Sequence, residues 1–153
     1  MTAFAALYSL HVLAALVWVG GLFFAWTVLR PAAATLDGPT RLALWSAVFP
    51  RFFLWVWAAV LVLPASGVGL LHLGFNGFDG APRYVQAMMG LYVAMVSLFL
   101  RVQALHLPSL RRALNDSDGE EGTRVLARIR RLVGFTLLLG VTVVVLGAAR
   151  PGF

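Results

Sequence analysis

The sequence predicts an all-α integral membrane protein, a single bundle of four transmembrane helices. Three observations predict it. Hydrophobic residues make up 61% of the chain and charged residues only 12%, about half the ~25% that a soluble domain carries. Four apolar stretches approach or exceed the ~20 residues needed to cross the hydrocarbon core. The twelve basic residues, all Arg, fall almost wholly between those stretches. A length of 153 residues suits one membrane domain over 1–153. Four spans of ~20 residues leave room for connections but not for a separate soluble domain.

The first span is expected over about 3–29, interrupted only by His11 as an ionisable group. No Lys or Arg precedes this run, and it is too long for a signal-peptide core, so it is expected to remain in place. Arg30-Pro31 is expected to end it, because Pro breaks helical hydrogen bonding and Arg prefers the interface. The second span is expected over about 52–73, with a kink near Val60–Ala65 caused by Pro64. The third covers about 84–105 and carries Arg101 near its end. The fourth, about 132–149, is almost purely aliphatic. The first connection, 31–51, is expected to hold a short interfacial helix at Pro39–Val48. The second, GFNGFDGAPR at 74–83, is a Gly-rich turn. In the third, 106–131, NDSDGEEG is a solvated loop and RVLARIRR an extension of the fourth helix. The acidic run lacks the spacing and terminal Glu of an EF-hand.

Charge predicts orientation. The first and third connections share one side and hold Arg30, Arg41, Arg51, Arg111, Arg112, Arg124, Arg128, Arg130 and Arg131, against Arg83 and Arg150 on the other. By the positive-inside rule both termini are expected outside, the periplasmic side of a bacterial inner membrane. The same clustering explains the +6 net charge as topology, which argues against nucleic-acid binding. The absence of cysteine excludes thiolate metal sites, iron–sulfur clusters and disulfides. No carboxylate falls within a span, and no phosphate loop or nucleophile elbow is present.

What chemistry remains is carried by a few side chains. His11, about 8 residues into the first span, sits roughly 12 Å below the outer surface. An ionisable group at that depth is a functional candidate, for haem or porphyrin ligation, copper ligation or proton transfer. The alternative is a neutral His hydrogen-bonded across helices. Trp18, two turns on, shares its face and either walls a pocket or packs. His72 at the outer end of the second span, Met88 and Met89 near the outer end of the third, and nearby Gln86 lie at similar depth. At most one of the two methionines can face a given site, and Met is also a common gap filler. Arg51 and Arg101, near the inner surface, either pair with a propionate or lipid phosphate or snorkel outward. His106 lies at the inner end of the third span, too far from His11 to share a metal.

LHVLAALVWVGGLFF, residues 10–24, resembles the first helix of CopD-like membrane proteins. The related HemJ-type protoporphyrinogen oxidases open with a similar His, Trp and small-residue pair, here His11, Trp18 and Gly20-Gly21. VLRPA, VFPRFFLWVW and RIRRLVGFTLLLGV also resemble short CopD-like proteins. The resemblance implies a four-helix unit with a porphyrin or copper connection, and carries over His11 as a haem axial ligand. The HemJ pattern also has a Lys near the start of the third helix. This chain has no Lys, and Gln86 stands near that place, which argues against oxidase activity. Three functions are therefore carried forward. The first is a haem b protein for redox or haem handling, with His11 as one ligand, His72, Met88 or Met89 as candidates for the second, and a quinone or redox protein as partner. The second is copper transport or resistance using His11, His72 and Met88. The third is an accessory subunit of a homo-oligomer or larger membrane complex.

Overall fold

The computed structural model describes residues 2–152. Among them are four long helices, each apolar and long enough to cross a membrane: α1 (Ala3–Ala33), α2 (Gly38–Phe75), α3 (Arg83–Asn115) and α4 (Gly119–Ala149). The protein is an all-α membrane bundle. α1 packs most extensively on α2, and α3 on α4, with α4 also contacting α1 and α2. The C-terminal end returns to the N-terminal end: the Arg150 guanidinium lies 5.6 Å from the Tyr8 ring centroid.

Three of the four helix starts, those of α1, α2 and α4, carry a side-chain cap. The Thr2 hydroxyl accepts from the Ala5 N–H at 3.2 Å. Asp37 accepts from the Thr40 N–H at 3.2 Å, and Asp118 from the Glu121 N–H at 3.0 Å. These satisfy N–H groups that a first turn leaves without partners. Hydrogen bonds from the Thr40 side chain and backbone hold the Asp37 carboxyl below its usual range. Glu120 and Glu121 in the first turn of α4 favour the positive end of its dipole. α2 stops at Asn76, which adopts a left-handed conformation with φ 54°. Gly77 follows at φ 102°, and its N–H reaches the Leu71 carbonyl at 3.0 Å, the wrap of a helix C-cap.

Arg30-Pro31 does not end the first helix as the sequence suggested, and a second proline also lies within a helix. Arg30-Pro31 lies inside α1, and Leu107-Pro108 inside α3. A π turn precedes each, Ala25–Leu29 in α1 and Val102–His106 in α3. The Arg30 N–H bonds Ala25, and the Leu107 N–H bonds Val102, both five residues back. A widened turn moves aside the carbonyl that a proline ring would strike, so the helix continues. The expected interfacial helix at 39–48 is likewise the opening of α2, which runs through Pro50 and Pro64. Across Pro50, Trp45 stacks on Phe49 at 5.1 Å and Phe49 on Phe53 at 5.7 Å. This ladder at four-residue spacing ties both sides of the proline to one face.

Pro64 has no N–H to offer the Val60 carbonyl four residues earlier. The Tyr92 hydroxyl of α3 donates to that carbonyl at 2.7 Å instead. A backbone group inside a bilayer must find a partner within the protein, and here a neighbouring helix supplies it.

The core runs the length of the bundle. Trp18, Val56, Leu110, Val125 and Ile129 are almost wholly enclosed. Trp18 meets Tyr92 and Phe99 edge-on, at 6.4 and 6.3 Å between centroids. Leu54 is 71% exposed, Leu61 67% and Leu138 63%. Such an apolar exterior fits contact with lipid tails.

Candidate functional site

His11 is half-buried on α1 and turned toward α2. Its Nδ1 lies 2.8 Å from the Ser66 Oγ. Ser66 is 1% exposed, and its hydroxyl donates to the Val62 carbonyl at 2.7 Å, with Leu63 at 3.2 Å. A hydroxyl has one proton, and the back-bond to the preceding turn uses it. Nδ1 therefore donates to Ser66, which leaves the lone pair on Nε2. A neutral imidazole with that lone pair free can bind a metal through Nε2, and here a second residue orients the ring. The ring lies against Gly67, where a Cβ would stand in ordinary contact, 3.5 Å from His11 Cε1.

The other outer-end candidates face elsewhere. His72 is exposed on α2. It lies six residues past Ser66, about 240° further around the helix. Met88 is half-buried against α4, where a Cβ on Gly147 would meet its methyl at 3.3 Å. Met95, one heptad on, packs the same way over Gly140 at 3.3 Å. Met89 is 39% exposed. Gln86 donates to the Ala81 carbonyl at 3.1 Å, closing the Gly-rich turn. At the other end, Arg51 is exposed and donates to the Ala47 carbonyl at 2.8 Å, and Arg101 is exposed. Trp18 packs among aromatic rings as described above.

The structure thus joins His11 to Ser66, Gly67 and the Leu63 turn. It does not gather His11, His72 and the methionines around one point. Among the described residues no three His, Cys, Asp or Glu side chains form a group that could hold a metal. Sequence reasoning missed Ser66, Gly67 and Tyr92. The signal for the first two is PASG, the only place in the second span where a hydroxyl and a glycine follow a proline.

Nothing around His11 supports haem b. The His11 ring is hydrogen-bonded to Ser66 and lies against Gly67. One cavity, about 140 Å³, lies toward the arginine-rich end and is lined by Phe49, Phe52 and Trp26 among others, with no His or Met. The second, about 20 Å³, lies among Trp18, Val56 and Phe99, also without a ligand.

A family model described as copper resistance protein D matches residues 46–150. The chain belongs to the CopD family. The match takes in α2 from Ser46 through α4, and so includes VFPRFFLWVW and RIRRLVGFTLLLGV, two of the segments that carried the resemblance. His11 lies before it. The CopD side of the resemblance holds, and the HemJ side gains no support. No curated protein and no solved structure matches the chain.

Proposed function

We propose that this protein handles copper ions at the membrane, in transport or resistance, with the ion as cargo. The CopD match over residues 46–150 carries the reading. His11 supports it from the chemistry: its Nε2 keeps a lone pair while Ser66 holds the ring. Imidazole and thioether ligands suit Cu(I), so Met88 and His72, at the same end of the bundle, are the groups to which His11 would pass or from which it would receive the ion. A chain of separate, low-coordination contacts suits cargo that must leave again.

The test is cell-associated copper, measured by elemental mass spectrometry in a bacterial strain lacking its own copper exporters. Expression of the protein is expected to change copper content and tolerance severalfold, with His11→Ala abolishing the change at equal membrane abundance. Copper content identical to the empty-vector strain would rule the reading out.

The same reading places the protein in the inner membrane with both termini outside, supported by the nine arginines of the first and third connections. A fluorescent protein fused after residue 153 is expected to stay dark, because the usual green variants do not mature after export. Bright fluorescence would invert the topology.

A further inference from the structure

The arginine-rich end holds a feature that copper handling does not use. Arg30 and Arg130 both line the 140 Å³ cavity between α1, α2 and α4, over a lining of Trp26, Phe49, Phe52 and Val133. The Arg30 guanidinium is stacked on Trp26, 4.3 Å from the ring centroid. Arg41 lies within electrostatic reach of Arg130. Its own guanidinium is fixed on the carbonyls of Ala33, Ala34 and Leu36, at 3.2, 3.3 and 2.8 Å. Among the described residues, the Arg–carboxylate ion pairs are those of Arg124 with Glu120 and Glu121. Two like charges, Arg30 and Arg130, thus line an apolar cavity with Arg41 nearby, and among the described residues no acidic side chain pairs with them.

We propose that this cavity binds an anionic phospholipid, its phosphate between Arg30 and Arg130 and an acyl chain in the apolar lining. Guanidinium groups take phosphate oxygens bidentately, and repulsion between Arg30 and Arg130 is relieved when an anion sits between them. The dimensions agree. The lining runs along α1 from Arg30 to Gly21, nine residues or about 14 Å, close to half of the ~30 Å hydrocarbon core. A free inorganic anion would satisfy the arginines but leave the apolar lining empty. Trp26, beneath Arg30, is of the residue type enriched at a headgroup boundary.

The experiment is a lipid titration of the delipidated full chain in detergent, read by native mass spectrometry. Phosphatidylglycerol, phosphatidylcholine and inorganic phosphate are added separately. One-to-one retention of phosphatidylglycerol over phosphatidylcholine is expected. Arg30→Gln should weaken it about fivefold, and Arg30→Gln with Arg130→Gln roughly thirtyfold. Exposed Arg111→Gln with Arg112→Gln should leave it unchanged. Ala25→Leu, which keeps both charges and fills the lining, should also lower retention, and it decides the matter if the double variant loses helical content. Equal binding of the two lipids, phosphatidylglycerol retention unaltered in Ala25→Leu, or displacement of the lipid by equimolar inorganic phosphate would overturn the proposal.

Discussion

The two ends of this bundle solve the same problem differently. Toward the end bearing the termini, the polar groups within the bundle are paired inside the protein: His11 with Ser66, Ser66 with Val62, the Val60 carbonyl with Tyr92. At the opposite end, polar groups are many, and aromatic rings do the fixing. Trp45, Phe49 and Phe53 stack in sequence, and Trp26 carries Arg30. The difference follows from solvent. Deep in a bilayer a polar atom has only the protein to bond. At the interface it has water and headgroups, so guanidinium groups can stand without carboxylates.

The comparison breaks hardest where the two ends meet. Trp18 touches Tyr92 of the first region and Phe99 of the second, and is 2% exposed. Trp18→Ala is expected to cost about 3 kcal/mol or more through the cavity it leaves, read as a lowered midpoint in a denaturing-detergent titration. A midpoint within error of wild type would mean the two ends are not coupled through this ring. A smaller loss is expected from Gly21→Ala. Its Cβ would overlap the Phe52 ring, and overpacking of this kind costs about 1–3 kcal/mol. The same titration checks it.

What the sequence disclosed follows the same division. The four helices were legible because apolar length is a property of consecutive residues, and so was the arginine asymmetry. Helix ends were not. Arg30-Pro31 reads locally as a stop, yet a π turn carries α1 past it. The short helix expected at 39–48 reads as separate from the second span, yet the Trp45–Phe49–Phe53 stack joins them in α2 across Pro50. In both cases a local signal lost to a geometry that only the folded chain supplies. His11 was legible as a candidate because it is the one ionisable side chain within its span. Its partner was not, because Ser66 lies 55 residues away and nothing in a single sequence links the two. The helix-one motif carried much of the resemblance, while the family match begins at residue 46. The haem ligation carried over with His11 gains no support from the family match.

The pairing of Tyr92 with Pro64 gives a sharper test, because it can be undone from both sides. Tyr92→Phe removes the donor to the Val60 carbonyl and is expected to cost about 0.6–1.7 kcal/mol, the range of interhelical hydrogen bonds in membranes. Pro64→Ala restores an N–H to that same carbonyl. In the Pro64→Ala background the Tyr92→Phe change should therefore cost markedly less, a coupling that a double-mutant cycle isolates. Equal costs in the two backgrounds would show that Tyr92 acts through its ring alone.

The smallest effect on stability is expected from Ser66→Ala, and it is the most informative about function. The substitution removes one hydroxyl and two hydrogen bonds, so a loss of about 0.6 kcal/mol is expected. The imidazole, however, loses the acceptor that keeps its proton on Nδ1. Without it the tautomer with the proton on Nε2 becomes accessible, and the ring is free to rotate over Gly67. If His11 works only as a packing device, Ser66→Ala should move the denaturation midpoint slightly and leave copper content alone. If it binds copper through Nε2, copper-dependent tolerance should fall severalfold while the midpoint barely moves, as second residues that orient metal-binding histidines commonly require. Ser66→Thr keeps the hydroxyl and should restore tolerance. That separation of stability from copper handling would assign His11 a task beyond holding α1 against α2.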